Sequence, residues 1–179
     1  MILGDIAIKA EIEEGGLVIM PFDKNRLQAG SYDLSLGGVF YVPMVPEDTR
    51  YIDPLSCFPS YTKHMTSVIL PPHGFCLGVT AEYVEFVSSE LMGFVHGKST
   101  VGRWGITVHT AGLIDSGFRG HLTLELYNHN NFAILLTESM KIAQMTVHLL
   151  DGCHKQYSSA YYCNNDETPI TPKLIETIF

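Results

Sequence analysis

The sequence predicts an all-β domain with short helices, folded as a barrel or sandwich. Three observations predict it. Much of the chain alternates apolar and polar residues, the period of a half-buried strand. Turn signals punctuate these runs: PPHG at 71–74, NHNN at 128–131 and TES at 137–139. The runs recur at roughly 8–12-residue intervals, the spacing of short antiparallel strands.

Taken in order, Asp5 is placed to cap a short helix whose apolar positions Ile8 and Ile12 lie one turn apart, and Gly15-Gly16 ends it. SYDLSLG (31–37) is the first alternating run. Residues 43–66 hold Pro43, Pro46, Pro54 and Pro59 and predict a long loop. SVIL (67–70), the segment around Phe75–Val79, YVEFV (83–87) and LMGFVH (91–96) predict strands. STVGRWG (99–105) breaks the alternation and predicts a short helical turn. HLTLELYN (121–128), FAILL (132–136) and KIAQMTVHLL (141–150) complete the strands. The remainder, 151–179, is polar and aromatic without periodicity and predicts a mobile arm after a β domain spanning 1–150.

The 179 residues suit one domain, and 46% hydrophobic content supplies a core. No apolar run reaches the roughly 18 residues a membrane helix needs, and the start of the chain lacks a basic segment leading into an apolar one. A soluble, cytoplasmic protein is expected. Net charge is −8, from 11 Lys and Arg against 19 Asp and Glu. That argues against a duplex nucleic-acid binder, which needs a basic face to neutralise phosphates. Lys98, Arg103 and Arg119 nevertheless cluster, and Asp115 is the one acid between Glu90 and Glu125. A small anionic ligand suits this distribution. Cys57, Cys76, Cys153 and Cys163 form no C-x-x-C pair, so reduced thiols are expected and no zinc site is. Neither H-E-x-x-H nor H-x-E with P-C-x-x-C occurs, and His96, His109, His121 and His129 alternate with core positions as sheet residues do.

Three stretches carry candidate chemistry. GKST (97–100) lacks the spacing and long helix of a phosphate loop, but a Gly, a Lys and two hydroxyls after a strand can donate to phosphate oxygens; a solvated turn is the alternative. On 121–128, Leu122, Leu124 and Leu126 share one face and His121, Thr123, Glu125 and Tyr127 the other. That polar face either meets solvent or lines a cleft between subunits. In a cleft, a partly desolvated Glu125 could take a proton from water and pass it to a leaving amine. Asp115, between Gly112 and Gly117, either reads a small base or sugar or makes its own turn hydrogen bonds.

GKSTVGRWG, TAGLIDSGFRGHLTLELYN and KIAQM, in this order, with QAGSYDLSLG and IMPFD before them, resemble the dCTP deaminase / trimeric dUTPase superfamily over roughly residues 1–150. The resemblance implies a distorted β-barrel or jelly-roll protomer of dUTPase-like type, in a homotrimer with active sites shared between subunits. It implies a pyrimidine deoxynucleoside triphosphate, dCTP or dUTP, taken as its magnesium complex, with dTTP as a customary inhibitor. By resemblance Lys98, Ser99 and Thr100 grip the triphosphate, and Ser99 and Arg103 orient a water and the glutamate. Ala111 and Gly112 read the base, Asp115 meets the sugar 3′-hydroxyl, Phe118 packs under deoxyribose, and Gln144 contacts phosphate. Glu125 matches the deaminase general base, where plain dUTPases carry an apolar residue. The implied reaction is hydrolytic deamination of dCTP with no zinc and no metal ligand from the protein.

The chain departs from the family pattern in three places. Gly112 in TAG stands where single-activity deaminases tend to have His, which favours conversion of dCTP to dUMP and pyrophosphate. The Arg103–Asp115 spacing is nearer that of dUTPases. The arm carries Asp166 and Glu167 instead of the family's phosphate-closing Lys, Gln and Arg. A dUTPase-type pyrophosphatase without deamination, and a silent nucleotide-binding regulatory trimer, are the alternatives these departures leave open.

Overall fold

A computed structural model describes residues 1–45, 47–53, 60–109, 112–152 and 156–157. The predicted Ala111, most of the arm, and Cys57, Cys153 and Cys163 lie outside the described residues. Those described form an all-β fold with two short α-helices, as the alternation implies.

Helix α1 spans Asp5–Glu13 and buries Ile8. Its cap differs from the expectation: Gly4 is the N-cap, with no side-chain cap, and Asp5 begins the helix as a first-turn acid. An acid there still meets the positive end of the helix dipole. Strand β1 (Leu17–Met20) follows, then a 3-10 turn at Lys24–Arg26 and the two-residue β2 (Leu27–Gln28). β3 (Ser31–Met44) runs well past its alternating core, and β4 (Ser60–Met65) folds back on it with Val39 opposite Met65 and Met44 opposite Ser60. The expectation of a loop over 43–66 is therefore corrected at both ends. β4 has no buried residue, so it carries no apolar alternation for a sequence to show.

β5 (Ser67–Leu70) pairs with β11 (Ile134–Thr137) as a separate two-stranded sheet. The two strands predicted at 75–79 and 83–87 are one, β6 (Phe75–Phe86). β7 (Leu91–Gly97), helix α2 (Ser99–Arg103), β8 (Ile106–His109), β9 (Leu113–Ile114), β10 (Arg119–Asn128) and β12 (Lys141–Leu149) complete the chain. The main sheet has the order β8-β10-β6-β3-β12-β7-β9, with β1 added on β6 and β2 and β4 on β3; every pairing is antiparallel. It curls into a half-barrel around Leu34, Leu36, Phe40, Phe86, Leu124, Leu126 and Met145, all buried.

Two irregularities face each other across β6, and a third lies where β12 meets β3, between Lys141 and Ala143. β10 meets β6 in two registers, His121 opposite Tyr83 and then Thr123 opposite Val79. β3 likewise skips between Leu36 and Phe40, where Gly37 lies so close to β6 that a Cβ would sit 3.1 Å from the carbonyl oxygens of Val79 and Thr80. Such bulges bend and twist a strand and re-aim the side chains beyond them. Thr80, buried, repairs the break: its hydroxyl accepts from the Leu122 N–H at 2.8 Å and donates to the Glu82 carbonyl at 2.8 Å. The Glu82 carboxylate, 1% exposed, turns inward and accepts from the Ser35 N–H at 2.9 Å and from Arg26 at 2.5 Å. A carboxylate so buried is tolerable only when charge-paired and hydrogen-bonded like this.

Candidate active site

Leu122, Leu124 and Leu126 are buried, and the alternate residues Thr123 and Glu125 stand on the other face of β10, half-buried. β8 covers one edge of β10 only from Glu125 to Asn128, with Glu125 opposite His109. Beside the uncovered part lies a partly enclosed cavity of about 60 Å³, whose walls include Val95, Gly112, Ile114, Leu122, Thr123 and Glu125. Gly112 is tied to β7, its carbonyl accepting from the Val95 N–H at 2.8 Å. Of the polar face of β10, Thr123 and Glu125 line this cavity, and the expected base and base-reading positions, Glu125 and Gly112, share it.

Asp115 opens the turn into β10 and is exposed; its carbonyl accepts from the Phe118 N–H at 3.1 Å. Gly117 is required there. Its φ is +84°, and a Cβ would lie 2.9 Å from the Gln156 side chain. Phe118 packs on the core from below and against Tyr157 from the arm, with ring centroids 6.0 Å apart. Tyr157 also donates its N–H to the Ser116 carbonyl at 2.7 Å.

The expected phosphate residues collect elsewhere, at one end of β3, β12 and β7. Lys98 follows directly on β7 and pairs with the buried Asp33 of β3, whose other oxygen is 3.4 Å from Lys141. Gln144 lies in register beside Asp33 on one side and His96 on the other. Ser99, Thr100 and Arg103 are exposed on α2, which packs on β8. Among the described residues no hydrogen bond or ion pair joins Ser99 or Arg103 to Glu125. The chain thus brings Glu125 together with Gly112, and Lys98 together with Gln144, but no described contact joins the two groups.

The sequence reading missed Asp33, Lys141, Thr80 and Tyr157. Asp33 had one signal: an acid within a run buried on both faces, Tyr32 to Leu36. No group of three or more His, Cys, Asp or Glu among the described residues could hold a metal ion. Cys76 is buried, and burial pushes its thiol up to about 12, so it is inert.

The fold is of the dUTPase-like class. The chain superimposes on a 2′-deoxycytidine 5′-triphosphate deaminase from Agrobacterium tumefaciens with a TM-score of 0.64 and 23% identity, over 83% of this chain and 48% of that one. It superimposes on a dUTPase of phage phi11 of S. aureus with a TM-score of 0.52 and 14% identity, over 82% and 98%. Residues 2–150 match the family model described as dCTP deaminase-like, and the chain belongs to that family. Relatives named dCTP deaminase, dUMP-forming, include those of Sulfurihydrogenibium sp. (36% identity; 90% of this chain, 91% of the relative), Dictyoglomus thermophilum (37%; 97% and 95%) and Rhodococcus erythropolis (41%; 81% and 79%).

Proposed function

We propose that the protein is a dUMP-forming dCTP deaminase. The observation that carries this reading is the position of Glu125: half-buried in a cavity beside Gly112, on a chain of this family. Deamination needs one group that moves protons at cytosine C4, and Glu125 fits. Water loses a proton to Glu125 as its oxygen bonds to C4, and that proton passes to N3. Glu125 then moves the new hydroxyl's proton to the amine, the C4–N bond breaks, and ammonia leaves. dCTP and water thereby give dUTP and ammonia. Gly112 and Ala111 read the base, Phe118 packs under the sugar, and Asp115 meets its 3′-hydroxyl and activates a second water that releases pyrophosphate.

Lys98, Ser99, Thr100 and Gln144 hold the triphosphate, and Arg103 with Ser99 steadies the Glu125 water across a seam between protomers of a homotrimer. The exposure of Ser99, Arg103 and the neighbouring Trp104, 66% exposed, supports that seam. A magnesium ion would be held by the phosphate oxygens of the nucleotide. It would neutralise phosphate charge. dTTP, which shares sugar and phosphates with the substrate, fits the same site as an inhibitor. Residues 1–150 form the catalytic β domain and 151–179 the arm.

Incubating purified protein with dCTP and magnesium and resolving products by chromatography tests the reading. dUMP and pyrophosphate are expected; unchanged dCTP refutes it. Hydrolysis of dUTP alone would identify a pyrophosphatase, favoured by the short Arg103–Asp115 spacing.

A further inference from the structure

We propose that Thr123 is a positioning residue for deamination: its hydroxyl and the Glu125 carboxylate together hold the attacking water. This rests on the function proposed above. Thr123 Oγ1 is the one buried side-chain oxygen or nitrogen among the described residues with no hydrogen-bond partner. An unsatisfied buried hydroxyl costs about 1–3 kcal/mol, and so calls for a ligand or a water. The surroundings make the choice of residue informative. Val95, Leu113, Ile114 and Leu122 wall the same cavity, and among them valine, the same shape without the hydroxyl, would pack at no polar cost.

The cavity holds about 60 Å³, and an ordered water needs roughly 10–15 Å³ of such space. Thr123 and Glu125 are two residues apart on one face of β10, so their Cα atoms stand about 7 Å apart, a span one bridging water closes. The chemistry also fits. A water giving one hydrogen to the Glu125 carboxylate and the other to Thr123 Oγ1 keeps a lone pair for C4. When it attacks, its O–H to Glu125 breaks, the O–C4 bond forms, and the proton follows the route above. Strand alternation puts Thr123 on the same face as Glu125, and both line the cavity, while the Leu122 N–H is met by Thr80 behind it.

The test compares wild type, Thr123→Val and Thr123→Ser. Val is expected to lower kcat for dCTP about tenfold, a part of what a general base contributes. KM should stay within about twofold, because the water rather than the nucleotide is lost. The acid limb of the kcat–pH profile should move to higher pH, since a carboxylate stripped of a hydrogen-bonded water is harder to ionise. Ser, which keeps the hydroxyl, should restore both. A Val variant with wild-type kcat and an unmoved acid limb overturns the proposal. A high-resolution crystal structure of the wild-type protein decides independently of turnover or of how the variants fold: a water within hydrogen-bond distance of both Thr123 Oγ1 and Glu125 is expected, and a dry cavity overturns it. Failure of the wild type to consume dCTP while that water is present would count against the proposed function instead.

Discussion

At the scale of single residues, the proposed reaction assigns different steps to two carboxylates ten positions apart. Asp115 is exposed at a turn, whereas Glu125 is half-buried and lines a cavity. Glu125→Gln keeps size and hydrogen bonding but removes the base, so dCTP consumption should fall about 10²–10⁴-fold while added dUTP is still hydrolysed to dUMP. Asp115→Asn should do the reverse and let dUTP accumulate from dCTP. Both outcomes are read by chromatography of the nucleotides. Glu125 was legible in the sequence because strand alternation assigns a face to every residue of 121–128. Thr123, on that same face, was not, because a missing hydrogen-bond partner depends on what the rest of the chain brings near.

At the scale of elements, the strand that carries the base is held from behind by a hydroxyl plug. Thr80→Val leaves the buried Leu122 N–H without its acceptor, and stability should drop by about 1–3 kcal/mol in denaturant titration. Because β10 continues into Thr123 and Glu125, kcat should fall with it. A second element effect concerns pH. β7 and β12 present His96, Thr146 and His148 on one face, with Thr146 Oγ1 3.1 Å from His96 and 2.8 Å from His148. The Phe94 ring packs on both histidines. Burial, then the N-terminal ammonium and His96, hold the His148 imidazole below its ordinary 6.5. A lowered value means that the unfolded chain binds the proton more readily. Stability is complete above about pH 6.5 and declines as pH falls through that value, the loss reaching its full size below the folded pKa. Denaturant midpoints measured from pH 8 to 5 should show this decline, and His148→Gln should lessen it. Elements with clear alternation, such as β7, β10 and β12, were readable; β4 and the joined β6 were not. The first buries no residue on either face, and the second crosses a bulge whose register is set by β3 and β10.

At the scale of the whole molecule, the incomplete joining of Glu125 with Arg103 within one protomer becomes a prediction about assembly. If the seam supplies Arg103 from a neighbour, Glu125→Gln and Arg103→Ala proteins should each be inactive alone. Mixed, unfolded and refolded together as homotrimers, they should regain about a quarter of wild-type turnover, because random assembly rebuilds that share of sites from one intact residue of each parent. Recovery of no activity would place both residues in one chain's site. An all-β barrel or sandwich was readable from strand spacing, and the resemblance pointed to the barrel, but no single-chain pattern specifies which faces meet across a seam.

Asp33 gives the phosphate end a resident counter-ion. It neutralises one of two lysines before any ligand arrives, which keeps two adjacent ammonium groups tolerable in a sheet. On the proposed function, a triphosphate would compete for Lys98 instead of meeting an unclaimed cation; its capture would be an exchange of anions, and the gain from each contact a difference between two pairings. Asp33→Asn should consequently tighten inorganic triphosphate while loosening the fold, measured by calorimetry and thermal unfolding respectively: the same carboxylate that lets the sheet close would lower the affinity for the anion.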